Sequence, residues 1–398
     1  MAGLIDELDA LVEKADALIS HIKKHIFSPH GEKQYNRLFK ISDAAQLINR
    51  HQNSIRNAEK EGLIESERIN DRNRGFNLKQ INQARRHFGT EPRLGLNEDA
   101  AVIAVQNFKG GVGKSTIAVH LAQWAAIRGF RTLLIDLDSQ ASSTSLFGYT
   151  PDLDIDQDDT LLPYFMGEQR TMHYAIRDTH IENLSLIPAN LQLYGAEYVI
   201  ASQRDEQPIY SYLPRGIQDL KQDYEIIIID PPPALGMFSI NTLVAADCLL
   251  IPMPPRMLDF TSSLQFFNML RETMGSIQEH MGTELDYNFI KIVTSKKKQR
   301  LSDEKYAKAE DDIFDLAKDI FGDKYMLNNV IYESSAIDNA ANEFKTLFEV
   351  EGATTGYKSY RTALKGMEAV FEEVFDELLL HWPSIQKKLK QQKKPVAQ

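Results

Sequence analysis

One glycine-rich segment restricts the possible folds of this 398-residue chain more than any other feature of the sequence. It lies between an apolar run and a helical stretch. Residues 109–115 read Lys-Gly-Gly-Val-Gly-Lys-Ser and follow the apolar run 101–105 after three intervening residues. Glycines let a backbone curl so that several N–H groups point at one phosphate, and the N-terminus of the following helix adds partial positive charge. The pattern predicts a phosphate-binding loop, with Lys114 on the β- and γ-phosphates and the Ser115 hydroxyl on Mg²⁺.

Apolar runs rich in β-branched residues recur after residue 100, and helical stretches separate most of them. Several lack polar alternation, which is typical of strands that are buried on both faces. The runs lie at residues 101–105, 132–135, 184–187, 225–229, 248–251, 289–293 and 329–332. Strands that alternate with helices predict an α/β fold with a doubly wound, mostly parallel sheet.

Two of these runs end in acidic residues. Residues 133–140 read Leu-Leu-Ile-Asp-Leu-Asp-Ser-Gln, and residues 226–232 read Ile-Ile-Ile-Ile-Asp-Pro-Pro. Open α/β sheets bind their ligands at the carboxyl ends of the strands. We therefore expect Asp136, Asp138 and Asp230 at the same sheet edge as the glycine-rich loop.

These three segments together resemble the ParA/MinD family of ATPases. Residues 109–115, with the extra lysine Lys109, are similar to its deviant Walker A motif. Residues 133–140 resemble its Asp-x-Asp-Pro-Gln motif, with Ser139 in place of proline, and residues 226–232 resemble its Walker B strand. The whole chain is most similar to the plasmid- and phage-type partition ATPases, the SopA-like ParA proteins, which carry a helix and a winged helix-turn-helix before the ATPase.

The resemblance implies binding of ATP or ADP with Mg²⁺, and weak ATP hydrolysis by a homodimer that a ParB/SopB-type centromere-binding partner stimulates. Lys109 would reach across the dimer to the partner's nucleotide, Lys114 would act in its own subunit, and Asp138 would position the attacking water. The implied metal ligands are Ser115, Asp136 and Asp230. The implied nucleotide contacts are Lys109, Gly110, Gly111, Val112, Gly113, Lys114, Ser115, Thr116, Asp136, Asp230 and Pro254.

Residues 32–90 form a basic island in an otherwise acidic chain. They contain twelve Lys and Arg against seven Asp and Glu, whereas the whole chain carries a net charge of −11. Such an island is the electrostatic signature of a nucleic-acid contact. A helix with Ser42 as its N-cap, a second helix over 52–61, a basic turn over 71–75 and a third helix capped by Asn77 predict a winged helix-turn-helix.

The predicted winged region assigns specific DNA contacts to the exposed start of its second helix and to its wing. These candidate residues are Gln52, Asn53, Arg56, Arg72 and Arg74. The stretch 41–64 also resembles the start of MerR-type DNA-binding domains. A small helical domain that makes no DNA contact remains the alternative.

A second set of basic residues lies near the C-terminus, where residues 357–380 have helical apolar spacing. Lys358, Arg361 and Lys365 share one face of that helix, away from the apolar one. With Lys345 they are candidates for nonspecific DNA binding, and the loop 296–300 is a further one. A merely solvated charged face is the alternative for each.

The N-terminal segment has apolar residues spaced four and three apart from Leu4 to Ile22, which predicts a helix with one apolar seam. The seam serves either a dimer contact or packing on its own chain. We therefore expect three parts: a dimerisation helix over 1–28, a winged helix-turn-helix domain over 29–98 and the ATPase domain over 99–398.

The composition excludes several classes of protein. The single cysteine, Cys248, cannot form an internal disulfide, a four-cysteine zinc site or an iron–sulfur cage. No apolar run approaches 18 residues, and the acidic start lacks the features of a signal peptide. We expect a cytoplasmic, nucleoid-associated protein that does not bind membranes. A transcriptional regulator with a nucleotide-sensing ATPase domain and a MinD-like positioning ATPase stay open.

Overall fold

The computed structural model describes residues 3–22, 33–68, 74–202, 208–282, 284–299, 304–350 and 357–392. The chain divides into two units, Met1–Tyr35 and Asn36–Gln398. The first unit contains helix α1 (Leu4–Ile22), which confirms the helix predicted there. The apolar side chains of its seam, including Leu4, Leu8, Leu11 and Leu18, are exposed.

The basic island folds into helices and a small sheet. Its elements are β1 (Phe39–Lys40), α2 (Ile41–Ile48), α3 (Gln52–Lys60), β2 (Glu67–Arg68), β3 (Arg74–Phe76) and α4 (Leu78–Phe88). The strands pair antiparallel in the order β1-β3-β2. Asn49 turns the chain between α2 and α3 in the left-handed conformation, and Ile48 and Ile55 pack in the core between the helices.

The predicted caps of this region have different outcomes. Asn77 caps α4 as expected, because its side chain accepts from the Gln80 N–H and the Gln80 side chain accepts from the Asn77 N–H, both at 2.9 Å. Ser42 as an N-cap was wrong. Strand β1 runs directly into α2, so Lys40 takes the N-cap position, and the Ser42 hydroxyl bonds to Asp43 instead.

The rest of the chain is an α/β domain, as predicted. Its strands are β4 (Ala101–Val105), β5 (Thr132–Asp136), β6 (Arg177–Asp178), β7 (Leu184–Ile187), β8 (Ile226–Asp230), β9 (Cys248–Met253), β10 (Phe289–Lys297) and β11 (Met326–Tyr332). They form one sheet in the order β11-β10-β9-β4-β8-β5-β7-β6, in which only β6 runs antiparallel to its neighbour. Every residue of β4, β5, β8 and β9 is buried, which explains the absence of polar alternation.

Helices separate these strands along the chain. They are α5 (Lys114–Ile127), α6 (Ser142–Leu146), α7 (Pro151–Asp154), α8 (Leu162–Phe165), α9 (Tyr194–Ser202), α10 (Tyr212–Leu220), α11 (Met237–Ala245), α12 (Met257–Met281), α13 (Glu304–Tyr325), α14 (Ser335–Asn342), α15 (Tyr357–His381) and α16 (Pro383–Gln392). Helix α13 is interrupted at Gly322. No helix in the described ranges combines the length and hydropathy needed to cross a membrane.

The winged region is joined to the α/β domain by a buried arginine. Arg85 of α4 donates to the Leu47 carbonyl at the end of α2 and to the Ile127 carbonyl at the end of α5, at 3.0 and 2.7 Å. Gly129 follows α5 with a φ of +98°, and a Cβ there would lie 2.8 Å from Arg85 Nη1. Only glycine therefore fits this close approach.

Candidate active site

The glycine-rich loop leaves β4 at Val105 and opens helix α5 at Lys114. Gly111 and Gly113 have φ values of +75° and +97°, in the left-handed region that favours glycine. Gly110 is exposed at the tip of the loop, and Val112 is buried beneath it. The half-buried Ser115 and Thr116 lie in the first turn of α5, whose free N–H groups form the phosphate cradle predicted from the sequence.

Lys114 lies inside the loop that it follows. Its side chain is buried, and Nζ donates to the Lys109 carbonyl at 3.3 Å. Burial lowers the pKa of Lys114, and the nearby carboxylates of Asp230 and Asp138 oppose that shift. The ammonium is thus held within the cradle, close to where bound phosphates would lie.

Lys109 is held by a different element. Its ammonium forms an ion pair with Asp259 in the first turn of α12, and its backbone N–H donates to Asn107 Oδ1 at 3.0 Å. In the single subunit the ammonium of Lys109 therefore binds a carboxylate of α12 and does not point into the phosphate cradle.

Asp136 and Asp230 end neighbouring strands and lie opposite each other in register. Asp136 Oδ2 accepts from both the N–H and the hydroxyl of Thr144, at 2.9 and 2.7 Å. Asp230 Oδ2 accepts from the Ser143 hydroxyl at 2.7 Å. Burial raises the pKa of both carboxyl groups, and repulsion by Asp230 raises that of Asp136 further.

The Asp230 side chain fits a role beside a bound magnesium ion. Its buried Oδ1 has no hydrogen bond of standard geometry among the described residues, and the hydroxyl of Ser115 is close enough to lower its pKa. No group of three His, Cys, Asp or Glu side chains suited to a metal occurs in the described ranges. Mg²⁺ usually keeps water and substrate phosphates as ligands alongside one or two protein groups.

Asp138 follows β5 by two residues and is half-buried. Its N–H donates to Asp136 Oδ1 at 3.1 Å, and its own Oδ1 accepts from the Gln140 N–H at 3.0 Å. Pro254 is buried directly after β9, at the same edge of the sheet. The nucleotide-site residues predicted from the sequence thus lie together at the carboxyl edge of the strands.

The DNA candidates of the winged region lie partly in one cluster. At the start of α3, the Arg56 guanidinium donates to Asn53 Oδ1 at 3.1 Å and to Gln52 Oε1 at 3.5 Å. Asn53 and Arg56 are exposed. Arg74 lies in β3 and pairs with Glu59 of α3, so the structure gives it a partner within the protein. Arg72 lies outside the described residues.

The C-terminal candidates are exposed on α15. Lys358, Arg361 and Lys365 point away from the apolar residues of this helix, which are buried as predicted. Lys345 lies before α15 and pairs with Glu343 at 3.0 Å.

Three functional neighbours were not predicted from the sequence. Ser143 and Thr144 hold the two buried carboxyl groups, and the run 141–145 with its four hydroxyl residues was the signal for them. Asp259, the partner of Lys109, is 150 positions away along the chain and carried no comparable signal.

Known proteins are similar to this chain in sequence and in fold. Residues 100–287 match a family model described as an AAA domain. The SopA protein of Escherichia coli K12 is 34% identical over 365 residues, which cover 88% of this chain and 91% of SopA. The chain belongs to the ParA/SopA-like family of partition ATPases. The matched 88% of the chain is longer than the α/β domain alone, so the similarity to SopA extends into the residues before it.

Solved structures confirm the ParA-type fold. A structure titled "Partition Protein" has a TM-score of 0.65 and 21% identity and covers 93% of this chain and 98% of its own. Cobyrinic acid a,c-diamide synthase of Mycobacterium smegmatis was solved with an ATP analogue and magnesium. It has a TM-score of 0.52 and 25% identity, and the match covers 72% of this chain and 96% of the synthase. The chain therefore has the ParA-type fold of P-loop ATPases. A solved protein with this fold contains an ATP analogue and magnesium.

In this ParA-family site, replacing Asp138 with alanine is expected to lower ATP turnover by about 100-fold while ATP binding persists. Asp138 is half-buried and close enough to Lys114 to affect the pKa of that lysine, and Asp138 Oδ1 accepts one hydrogen bond, from the Gln140 N–H. Turnover and ATP affinity are measured on the full chain, with Asp158→Ala, an exposed aspartate away from the loop, as the matched control. Wild-type turnover in the Asp138→Ala protein would remove Asp138 from the mechanism.

Proposed function

We propose that this protein is a DNA-partition ATPase that binds and hydrolyses ATP as a dimer in the cytoplasm, on the nucleoid. In the ATP state it binds DNA of any sequence, and a ParB/SopB-type centromere-binding partner stimulates its weak ATPase activity. Through its winged region it binds its own operator and represses its operon. The convergence of the loop, Lys114, Asp136, Asp138 and Asp230 at one sheet edge carries this proposal.

The proposed hydrolysis needs positioning and charge neutralisation more than covalent chemistry. Lys114 and the N–H groups of the loop bind the β- and γ-phosphates. Asp138 orients the attacking water, and Lys109 leaves Asp259 to reach the nucleotide of the other subunit. Mg²⁺, when bound near Ser115 and Asp230, neutralises charge that develops on the phosphate oxygens.

The helix that follows the loop gives physical support for linked ATP and DNA binding. His120 Nδ1–H donates to the Thr116 carbonyl at 2.7 Å, and Nε2 accepts from the Leu347 N–H at 3.1 Å. Burial lowers the pKa of His120 to about 4, so the ring is neutral at pH 7 and can make both bonds. Thr116 lies in the first turn of α5, next to the nucleotide loop, and Leu347 is two residues from Lys345. The His120 side chain therefore connects the nucleotide site with the segment that carries a candidate DNA-binding lysine.

Operator recognition in this proposal uses α3 and α1. The Gln52, Asn53 and Arg56 cluster offers amide and guanidinium groups of the kind that read base edges in the major groove. A helix-turn-helix dimer needs two half-sites at a fixed spacing. The exposed apolar seam of α1 would hold such a dimer in either nucleotide state.

Two variants should separate the two DNA activities. Arg56→Ala is expected to weaken binding to DNA from upstream of its own gene about tenfold or more, because a base-edge contact is lost. It should leave binding to random duplexes in ATP unchanged. Arg361→Ala should instead lower the log–log salt slope on random duplexes by about 0.9, since one phosphate contact is lost. Affinity is measured against salt, in ADP and in ATP.

Arg86→Ala is the matched control, because Arg86 is an exposed arginine on α4 outside both candidate surfaces. ADP should support operator binding, and ATP should add the salt-sensitive binding to random duplexes. Random-duplex affinity that is equal in ADP and ATP would contradict the nucleotide-linked part of the proposal. Operator binding that survives Arg56→Ala, Gln52→Ala and Asn53→Ala together would contradict the role of α3.

A further inference from the structure

The carboxyl end of strand β10 is fastened to the nucleotide loop. The buried Ser295 hydroxyl donates to the Val112 carbonyl at 2.8 Å, across 183 positions of sequence. The pairing of β10 with β11 shifts register between Thr294 and Lys297, and Lys296 within this bulge has a φ of +52°. A bulge of this kind re-aims the side chain that it carries.

The side chain of Lys296 extends toward the start of α5. Its Cε lies 3.9 Å from the position that a Cβ on Gly113 would occupy. Gly113 immediately precedes Lys114 and the first turn of the helix, where free N–H groups converge. The half-buried Lys296 thus lies beside the phosphate cradle of its own subunit.

The lysine that follows Lys296 has an acidic partner elsewhere, since Lys297 Nζ pairs with Asp311 at 2.5 Å. The backbone N–H of Lys298 donates to Glu310 Oε2 at 2.6 Å. Among the residues that the structure describes, the side chain of Lys296 makes neither an ion pair nor a hydrogen bond. Its ammonium is therefore available to a ligand.

The surroundings of the Lys296 side chain suit a bound anion. A helix N-terminus carries partial positive charge, and Lys114 adds a full charge close by. The left-handed backbone of a non-glycine residue is a further cost, which persists at functional sites when the surroundings impose it. A polyphosphate bound in the cradle would reverse the sign of the electrostatic interaction.

We propose that Lys296 binds the phosphates of the nucleotide held by the loop of its own subunit, as a second such lysine beside Lys114. This inference rests on the proposed function, because it requires that the loop bind ATP. It separates Lys296 from the basic loop 296–300, which the sequence assigns as a whole to nonspecific DNA binding. Binding of the Lys296 side chain to DNA is the competing outcome of the test.

The test uses Lys296→Gly and Lys296→Gln in the full-length protein. Both variants are expected to bind a fluorescent ATP analogue with Mg²⁺ about tenfold more weakly, because a charge-assisted contact to phosphate is lost. Glycine relieves the left-handed backbone, so Lys296→Gly should unfold at the same temperature as the wild type or higher without nucleotide. This combination separates loss of a ligand contact from loss of folding.

Lys298→Gln serves as the matched control and should bind the ATP analogue like the wild type. ATP affinity within twofold of wild type in both Lys296 variants would overturn the inference, as would weaker binding to random duplex DNA at unchanged ATP affinity. The inference would also be overturned if Lys296→Gln unfolded at a lower temperature while Lys296→Gly kept normal ATP affinity. Any loss of ATP affinity in Lys296→Gln would then come from loss of folding. If the wild type itself bound no ATP, the proposed function would be wrong. If the wild type binds ATP and the Lys296 variants bind it equally well, only the inference about Lys296 is wrong.

Discussion

The Lys114→Ala protein is expected to lose ATP affinity by about 100-fold, which corresponds to about 2.7 kcal/mol. Lys114 is buried within the loop, and its Nζ is held at the Lys109 carbonyl, where it faces the cradle and not solvent. Removing this buried ammonium takes a charge-assisted contact away from the bound phosphates. Equilibrium titration with a fluorescent ATP analogue and Mg²⁺ measures the loss.

Lys324→Ala is the control for this variant, because Lys324 is an exposed lysine at the end of α13, far along the chain from the loop. It should bind ATP like the wild type. A Lys114→Ala protein that keeps its ATP affinity would show that the cradle N–H groups suffice. The assignment of Lys114 to the β- and γ-phosphates would then be wrong.

Lys109→Ala is expected to keep ATP affinity within about threefold but to lower turnover by about 1,000-fold, as loss of a cation supplied across an interface does. The structure gives a physical reason for the difference. Lys109 pairs with Asp259 of α12, so its ammonium does not contribute to the cradle of its own subunit. ATP affinity and steady-state turnover are measured on the same preparation, next to Lys114→Ala.

Mixing two inactive variants tests whether Lys109 acts across the dimer. A dimer of Lys109→Ala with Asp138→Ala has one complete site, in which the second subunit supplies Lys109 to the nucleotide of the first. Random pairing in a twofold dimer makes half of the dimers mixed, so an equal mixture should recover about a quarter of wild-type turnover. If Lys109 acted within its own subunit, neither site would be complete and the mixture would stay inactive.

The sequence was sufficient for the features that depend on local pattern. Buried strands such as β8 read as unbroken isoleucine runs, and the glycines of the loop mark a backbone that other residues adopt at a cost. Asp136 and Asp230 could be placed at one edge, because the carboxyl ends of parallel strands share it. That they lie directly opposite each other required the strand order, in which β8 lies next to β5.

Other features depend on contacts between distant parts of the chain, and sequence alone did not give them. The Lys109–Asp259 pair and the Ser295–Val112 bond each join segments more than 100 residues apart. Lys296 therefore looked like one member of a basic run. Ser42 has the chemistry of an N-cap, but β1 leads into α2 without the turn that such a cap requires.

The close packing of Arg85 against Gly129 limits the exchange of the winged region between related proteins. The arginine belongs to the winged region and the glycine follows the helix of the nucleotide loop, so a side chain at residue 129 would displace a guanidinium with three hydrogen-bond acceptors. A winged region transplanted from a relative without this arginine would leave the Ile127 carbonyl without its donor. New operator specificity is therefore acquired more easily by substitutions on the exposed start of α3 than by recombination of whole domains.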